Sequence, residues 1–423
     1  FSIAGSTFAK SIAKWNGSDW ETLGTAAENG ITGSVETLLV DGNEVYVGGH
    51  FGFAGSVEAY HIAKWDGAKW SAIGIGVGGV SGASVYALEK IDHYLYVGGY
   101  FAIVGDAVNN ALPANSIARF NLMTNRWEAL GNGLRRSDGF LGVVNALARD
   151  GNLLYVGGRF GLADIEPAQN LAVWNQQSWS ALGGPGNDGV EGTVAVIKVQ
   201  ANEVLVGGAI TKRINGQPFH GFVKWNGTTW QAFGGTILRK NEPGYVMDVI
   251  SYDGKLIIGG SFDQAGHTAA SNLAWWDGAE WHDLGGTNGL VSSLVLSGNR
   301  IMIGGGFTIA GGTASVAMAQ YDLTTTAVDG APLVAPAEYA LFQNYPNPFN
   351  PTTVIAYQIP RPGMVTLKIY DMLGREKRTL VQAHQPAGKH EVAFEAGELA
   401  SGVYVYRVQV NGFVSSNKML LVR

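Results

Sequence analysis

At 423 residues the chain is long enough for two or three average domains, and its 61 glycines against 13 prolines fit turn-rich β structure rather than disordered low-complexity sequence. Charged residues make up only 15% and the net charge is −6, which excludes a polyanion-binding surface built on bulk charge and, with it, nucleic acid as a partner. There is no cysteine and hence no disulfide framework, and no run approaches the roughly 18 apolar residues that span a bilayer, so no transmembrane segment is expected.

The chain opens at Phe1 with neither Met nor a charged-then-apolar leader, so an export signal is expected to have been removed or to lie outside this sequence. Residues 1–24 then read as half of a repeat. FSIAG at 1–5 matches FGFAG at 51–55 and FTIAG at 307–311, each of which follows a strand ending in Gly-Gly. Here that strand is expected upstream, so the sequence begins inside a repeat unit. Six complete units follow, at about 35–74, 85–130, 143–182, 194–233, 246–284 and 291–328, with Gly-Gly pairs at Gly48/Gly49, Gly98/Gly99, Gly157/Gly158, Gly207/Gly208, Gly259/Gly260 and Gly304/Gly305. A period near 50 residues with four short strands per unit predicts an array in which each unit is stable only when stacked on its neighbours.

Within a unit the pattern is a strand, a polar turn, a strand ending in Gly-Gly, a longer loop, and a closing hairpin. The closing hairpins carry Trp15/Trp20, Trp65/Trp70, Trp174/Trp179, Trp225/Trp230 and Trp276/Trp281, mostly around Asn-Gly or Asp-Gly. Asn and Gly tolerate the positive φ of tight turns, and the paired indoles are then cross-strand neighbours. Trp127 and Trp275 complete the set of 12, so packing is the natural role for the tryptophans, and an aromatic binding platform the lesser one. The aromatic after each Gly pair (Phe51, Phe101, Phe160, Phe262, Phe307) is expected to fill the gap between units.

This arrangement resembles the kelch family of β-propellers, in which a Gly-Gly pair ends the second strand and a Tyr and a Trp six residues apart mark the outer two. Phe120 and Trp127 enclose six residues, Tyr321 and Val328 keep that spacing without the Trp, and elsewhere the gap is four. The resemblance covers about residues 1–329 and implies an all-β fold: a kelch-like β-propeller of seven blades, the first incomplete, with six blades and a spare hairpin as the alternative. Kelch propellers include enzymes and scaffolds alike, so the fold implies no activity.

On this reading the loops after the second and fourth strands share one face, which is where the copies differ. The longest spans 106–115, and charged ones lie at 134–140, 187–191 and 238–242. Arg135, Arg136, Asp138, Arg239 and Lys240 are therefore the candidate ligand-binding residues, with solvated loop charge as the plainer role. No catalytic residue is assigned. The eight histidines (His50, His61, His93, His220, His267, His282, His384, His390) show no metal-ligand spacing, so no metal site is expected and no cofactor, Ca2+ being the one the loop carboxylates leave open. Asp106, Asp164 and Asp263, shortly after the loop aromatics, are the residues a polysaccharide hydrolase or lyase would use, at different offsets in their units.

The repeat stops near Asp329. Residues 330–337 (GAPLVAPA) read as a semi-rigid linker, and 338–423 as a small antiparallel immunoglobulin-like β-sandwich of five to seven strands, with strands at 354–359, 364–370, 390–394, 402–410 and 416–422. This tail opens NYPNPFNPTT at 344–353, including Asn347, Pro348, Phe349, Asn350 and Pro351. It continues with IYDMLGR at 369–375 (Asp371, Gly374) and LASGVY at 399–404 (Gly402, Tyr404), and ends KMLLV at 418–422 (Lys418). From about 339 to 423 it resembles the type A C-terminal sorting domain of the type IX secretion system. The resemblance implies export across the outer membrane of a bacterium of the Bacteroidetes and related groups, with that secretion machinery as a partner and an extracellular or outer-cell-surface location. The functions expected are a non-enzymatic binding or adhesion module for a surface glycan or protein, a self-assembling subunit of a filament or surface layer, or a polysaccharide-degrading enzyme.

Overall fold

The computed structural model describes residues 1–25, 28–105, 111–183, 189–323, 339–344, 347–385, 388–397 and 399–422. The chain is all-β and divides into two compact units, Phe1–Asp322 and Leu323–Arg423. The linker assigned to 330–337, the boundaries at 329 and 338 and the fourth strand of the last repeat lie outside the described residues.

In the first unit every Gly-Gly repeat is an antiparallel meander. The first sheet runs Ile31–Asp41, Glu44–Ala54, Ile62–Trp65, Trp70–Ala72, and the second Ser84–Ile91, Tyr94–Tyr100, Ile117–Asn121, Arg126–Ala129. The third is Val143–Asp150, Leu153–Arg159, Leu171–Trp174, Trp179–Ala181, and the fourth Glu191–Gln200, Glu203–Ile214, Gln217–Trp225, Trp230–Ala232. The fifth is Tyr245–Tyr252, Lys255–Ser261, Leu273–Trp276, Trp281–Asp283, and the sixth shows three strands, Leu290–Ser297, Arg300–Gly306 and Met318–Asp322. Ahead of them, Lys14–Trp15 pairs with Trp20–Glu21 as an isolated closing hairpin. Among the described residues no ladder joins the first sheet to the sixth.

The two glycines of each pair have separate jobs. A Cβ on the second would fall about 2 Å from a carbonyl oxygen of the neighbouring first strand: 2.1 Å from Ser34 O at Gly49 and 1.9 Å from Val143 O at Gly158. That crowding accompanies a one-residue bulge in the first strand, repeated in all six sheets, as between Val35 and Thr37 or Val291 and Ser293. The first glycine faces the next sheet. A Cβ there would meet Cγ1 of the valine opening the next sheet's first strand, at 2.5 Å for Gly48 and Val85, 2.3 Å for Gly98 and Val144, 2.5 Å for Gly157 and Val194, 2.9 Å for Gly207 and Val246, and 2.6 Å for Gly259 and Val291. Only glycine lets the sheets approach this closely.

Consecutive sheets therefore share their cores. Tyr46 and Ile62 of the first pack with Val85 and Leu88 of the second, Tyr96 and Ile117 with Val144 of the third, and Leu205 and Phe222 with Val246 of the fifth. At burial of about 25 cal/mol per Å², such junctions, rather than any one sheet, hold the unit together. The two ends of the series are different. Among the described residues nothing packs over Gly304, where the nearest atom to a Cβ is Ala317 O at 4.0 Å, and Leu38 of the first sheet is 52% exposed while its counterpart Leu88 is 8% exposed.

The tryptophans pair in the expected register, Trp65 opposite Trp70 and Trp174 opposite Trp179, with ring centroids 5.2 and 5.1 Å apart. In the turns between them the glycine takes the expected positive φ and the Asn or Asp before it does not. Positive φ falls at the second turn position, Gly17, Gly67, Gly227 and Gly278, and at Gln176 in the third sheet. The Asn or Asp before it serves instead as an acceptor: Asn16 Oδ1 takes the N–H groups of Ser18 and Asp19, Asp66 Oδ1 those of Ala68 and Lys69, and Asn226 Oδ1 those of Thr228 and Thr229.

In the second unit two antiparallel sheets share one core. One is Ala340–Leu341, Thr352–Ile359, Gly388–Glu395; the other, in spatial order, is Glu376–Gln385, Gly363–Asp371, Gly402–Val410, Phe413–Leu421. Ile355, Tyr357, Leu367, Ile369, Tyr406 and Val408 are fully buried between them. Glu376–Gln385 is a strand the apolar pattern does not announce, because this edge strand is mostly solvent-exposed.

Candidate functional site

The loops at one end of the sheets are woven together. The segment leaving the fourth strand of one sheet pairs with the loop after the second strand of the next: Val77–Gly78 with Ile103–Val104, Leu134–Arg135 with Leu162–Ala163, and Ile237–Arg239 with Gln264–Ala265. Both loop sets thus lie at the same end.

Arg135, Arg136 and Asp138 sit on the segment entering the third sheet. Arg136 Nη2 is 2.6 Å from Asp138 Oδ2, and its guanidinium lies 6.0 Å from the ring centre of the exposed Phe140. Arg239 and Lys240 sit on the hairpin entering the fifth sheet, where Arg239 is opposite Glu242 and Lys240 turns with φ 51°. The two groups occupy separate small sheets, and no described hydrogen bond or ion pair joins them. Asp164 accepts from the backbone N–H of Asn132 at 3.4 Å and from its side-chain amide, and Asp263 Oδ2 accepts from the N–H of Lys240 at 2.8 Å. Each carboxylate is tied to the adjacent loop, and the two do not meet; Asp106 and residues 187 and 188 lie outside the described residues.

One cluster escapes a reading by spacing. Asp277, Glu280 and His282 bring one ligand atom each within 4.8 Å of one another. Asp277 Oδ1 accepts from the N–H groups of Ala279 and Glu280, and Oδ2 lies 2.8 Å from His282 Nε2. The backbone N–H of Glu280, then His282 and the N–H of Ala279, hold the Asp277 carboxyl well below the usual carboxylate range. The signal was the hairpin register, which puts His282 opposite Trp275 and onto its ring at 4.3 Å. The arrangement is that of a turn cap braced by a neighbouring strand.

In the second unit the ends of the motif set are clamped together. Asn347 Oδ1 accepts from the N–H of Leu420 at 2.8 Å, Phe349 N–H donates to Leu420 O at 2.9 Å, and Val422 N–H donates to Phe349 O at 3.0 Å. Phe349 is buried against Phe394, between the flanking Pro348 and the Asn350-Pro351 lead-in to the Thr352–Ile359 strand. Lys418 contributes its carbonyl, which accepts from Gln343 Nε2 at 2.7 Å, while its side chain is exposed. Asp371 closes the hairpin: Oδ1 accepts from the N–H groups of Leu373 and Arg375, and Oδ2 lies 2.8 Å from Arg375 Nε and 3.2 Å from Lys377 Nζ. Desolvation, which pushes its pKa up, is outweighed by these donors, led by Arg375, and the carboxyl is pulled down to about 2. Gly374 takes the left-handed turn at φ 77°, Gly402 opens its strand, and the Tyr404 hydroxyl donates to Ala400 O at 2.8 Å.

Residues 343–422 match the family described as the secretion system C-terminal sorting domain. The protein carries a type IX export tail. Such tails mark proteins exported to the cell surface or extracellular space, which is where this protein works, and the secretion machinery is its partner in reaching it. Among the described residues no helix is long and apolar enough to cross a membrane.

No curated protein matches the sequence. Among solved structures the chain is similar to PorZ, an essential bacterial surface component of the type-IX secretion system of Porphyromonas gingivalis, at 13% identity and a TM-score of 0.43 over 97% of this chain. It spans 62% of the PorZ chain. A glycoside hydrolase family 32 structure from Bifidobacterium adolescentis is matched at 12% identity and a TM-score of 0.24, over 80% of this chain and 75% of that one.

Proposed function

We propose that the protein is a type IX cargo whose first 329 residues form a kelch-like β-propeller, seven blades with the first incomplete, acting outside the cell as a non-enzymatic binding or adhesion module. Residues 330–337 serve as linker and 338–423 as an immunoglobulin-like sorting sandwich. The observation that carries the reading is the fate of the aromatic repeat: Phe51, Phe101, Phe160, Trp70 and Trp179 are all buried, and the Trp70 and Trp179 indoles donate to Leu23 O and Leu130 O of the preceding unit. With the repeated aromatics used in packing, the interlaced loops are the surface that varies between units. Arg135, Arg136, Asp138, Arg239 and Lys240 are the groups on it for a surface glycan or protein. Replacing Arg135 and Arg136, or Arg239 and Lys240, with Ala is expected to weaken binding to cells or surface polymers by about tenfold, with folding unchanged. Unaltered binding in both pairs would discard this face.

A second reading has its own support. Among the described residues the sixth sheet leaves Gly304 and Met318 uncovered, although the equivalents of Met318 in the five preceding sheets, Ile62, Ile117, Leu171, Phe222 and Leu273, are buried, which suits a subunit that assembles with others into a filament or surface layer. Light scattering that finds a monomer at every concentration would remove it.

A further inference from the structure

In the second unit, strand alternation divides the motif residues into two sets. Ile369, Tyr404, Tyr406, Met419 and Leu421 point into the core and are buried, which accounts for their apolar character. Their neighbours in the chain point the other way, where the core makes no demand on them. In register, Val403 lies opposite Leu420, Val405 opposite both Lys418 and Tyr370, and Arg407 opposite both Ser416 and Lys368. The outward residues of three motifs that are far apart in the sequence therefore form one surface on the four-stranded sheet.

That surface has an apolar strip at the end nearest the Asp371 turn. Val403, Leu420 and Val422 are exposed there, and so are Met372 and Leu373, which follow the pairing of Asp371 with Tyr404. The turn is closed by Asp371 and Gly374, so the Met372 and Leu373 side chains are not needed to form it. Beside the strip stands a cationic band. Lys368 Nζ is matched by Glu376 at 2.9 Å, whereas Arg407 donates to Ser416 Oγ at 3.1 Å and lies 5.2 Å from the ring centre of Tyr370. Among the described residues neither Arg407 nor Lys418 pairs with a carboxylate, and both are exposed. The Thr352–Ile359 strand of the other sheet is different: it turns out Thr352, Val354, Ala356 and Gln358, with no charge and a single large aliphatic.

We propose that this face is where the export machinery recognises the tail, through a receiving surface that is an apolar groove bordered by carboxylates. The groove covers Val403, Leu420 and Met372, and its carboxylates meet Arg407 and Lys418. The proposal rests on the tail's role in export and names the place on it that is read. Exposed aliphatics beside unmatched cations select a partner with the complementary pair of features. An anionic bilayer shares them, but a surface held to lipid headgroups typically brings a cluster of about four or more cations, and only two are unmatched here.

Secretion of the full chain, followed by fractionation and immunoblot, tests the face. Val403→Ser with Leu420→Ser, and Arg407→Gln with Lys418→Gln, alter exposed side chains. Each pair is expected to leave thermal melting of the purified protein unchanged and to lower secretion by about tenfold or more, with the protein held in the periplasm. Val354→Ser on the other sheet and Val414→Ser at the far end of this one should be secreted like the wild type. A photo-crosslinking residue in place of Leu420, and not one in place of Val414, should join to a protein of the secretion machinery. Wild-type secretion of both pairs, with deletion of 338–423 still blocking export, would overturn the face and leave the tail's role standing; secretion of the deletion would remove both. Equal loss in the Val354 and Val414 controls, or crosslinking from position 420 to lipid alone, would also overturn it. If either pair lowers the melting temperature, Lys418→Gln alone is read in its place.

Discussion

Asp248 shows how one side chain can set the response of a junction to pH. In the other sheets the residue after the bulge is Thr37, Ala87, Ala146, Val196 or Ser293; only the fifth sheet has a carboxyl there. Its Oδ1 accepts from the N–H of Val249 at 2.8 Å and its Oδ2 from the N–H of Leu294 in the sixth sheet at 2.7 Å. Burial pushes the group up, the two N–H groups and Lys198 pull it down, and the result is a pKa of about 6. A carboxyl raised on folding gives stability that is complete below its unfolded pKa near 4 and is lost as pH rises through 6. Urea unfolding of the wild type, compared with Asp248→Asn, is expected to show a loss of about 2 kcal/mol relative to the variant between pH 4 and pH 7. Parallel pH profiles for the two proteins would contradict the assignment.

At the scale of the elements, the sheets stack through glycine and valine, and the series contains its own control. Gly98→Val puts a side chain where Val144 Cγ1 already lies, 2.3 Å from the new Cβ, and is expected to destabilise by about 3 kcal/mol or more. Gly304→Val occupies the same strand position with that space open and should change stability by less than about 0.5 kcal/mol. Equal losses, measured by chemical denaturation, would mean that glycine is needed at this position for a reason other than packing. The Gly-Gly repeat, the paired indoles and the four-strand meander were legible because each depends on residues close in sequence or repeated at a fixed period. The strand Glu376–Gln385 was not, since an edge strand facing water needs no apolar alternation. Nor was the Asp277, Glu280 and His282 cluster, because Asp277 and His282 meet through the hairpin register rather than through a metal-ligand spacing in the sequence.

For the molecule as a whole, the export tail and the Gly-Gly repeats fall in different units. Deleting residues 338–423 is expected to leave the first unit folded, since its cores are built from its own sheets, and to trap it in the periplasm; secretion at the wild-type level, by fractionation and immunoblot, would refute the tail's role. Within the tail the two ends of the motif set are held together, the Asn347 side chain accepting from Leu420 N–H and Phe349 exchanging backbone bonds with Leu420 and Val422. The glycine-to-valine fit carries a consequence for how such a chain changes length over generations. Every junction uses one mould, so duplicating or losing a segment of about 50 residues regenerates a matching surface at the splice. Families built on this unit should therefore vary in whole repeats.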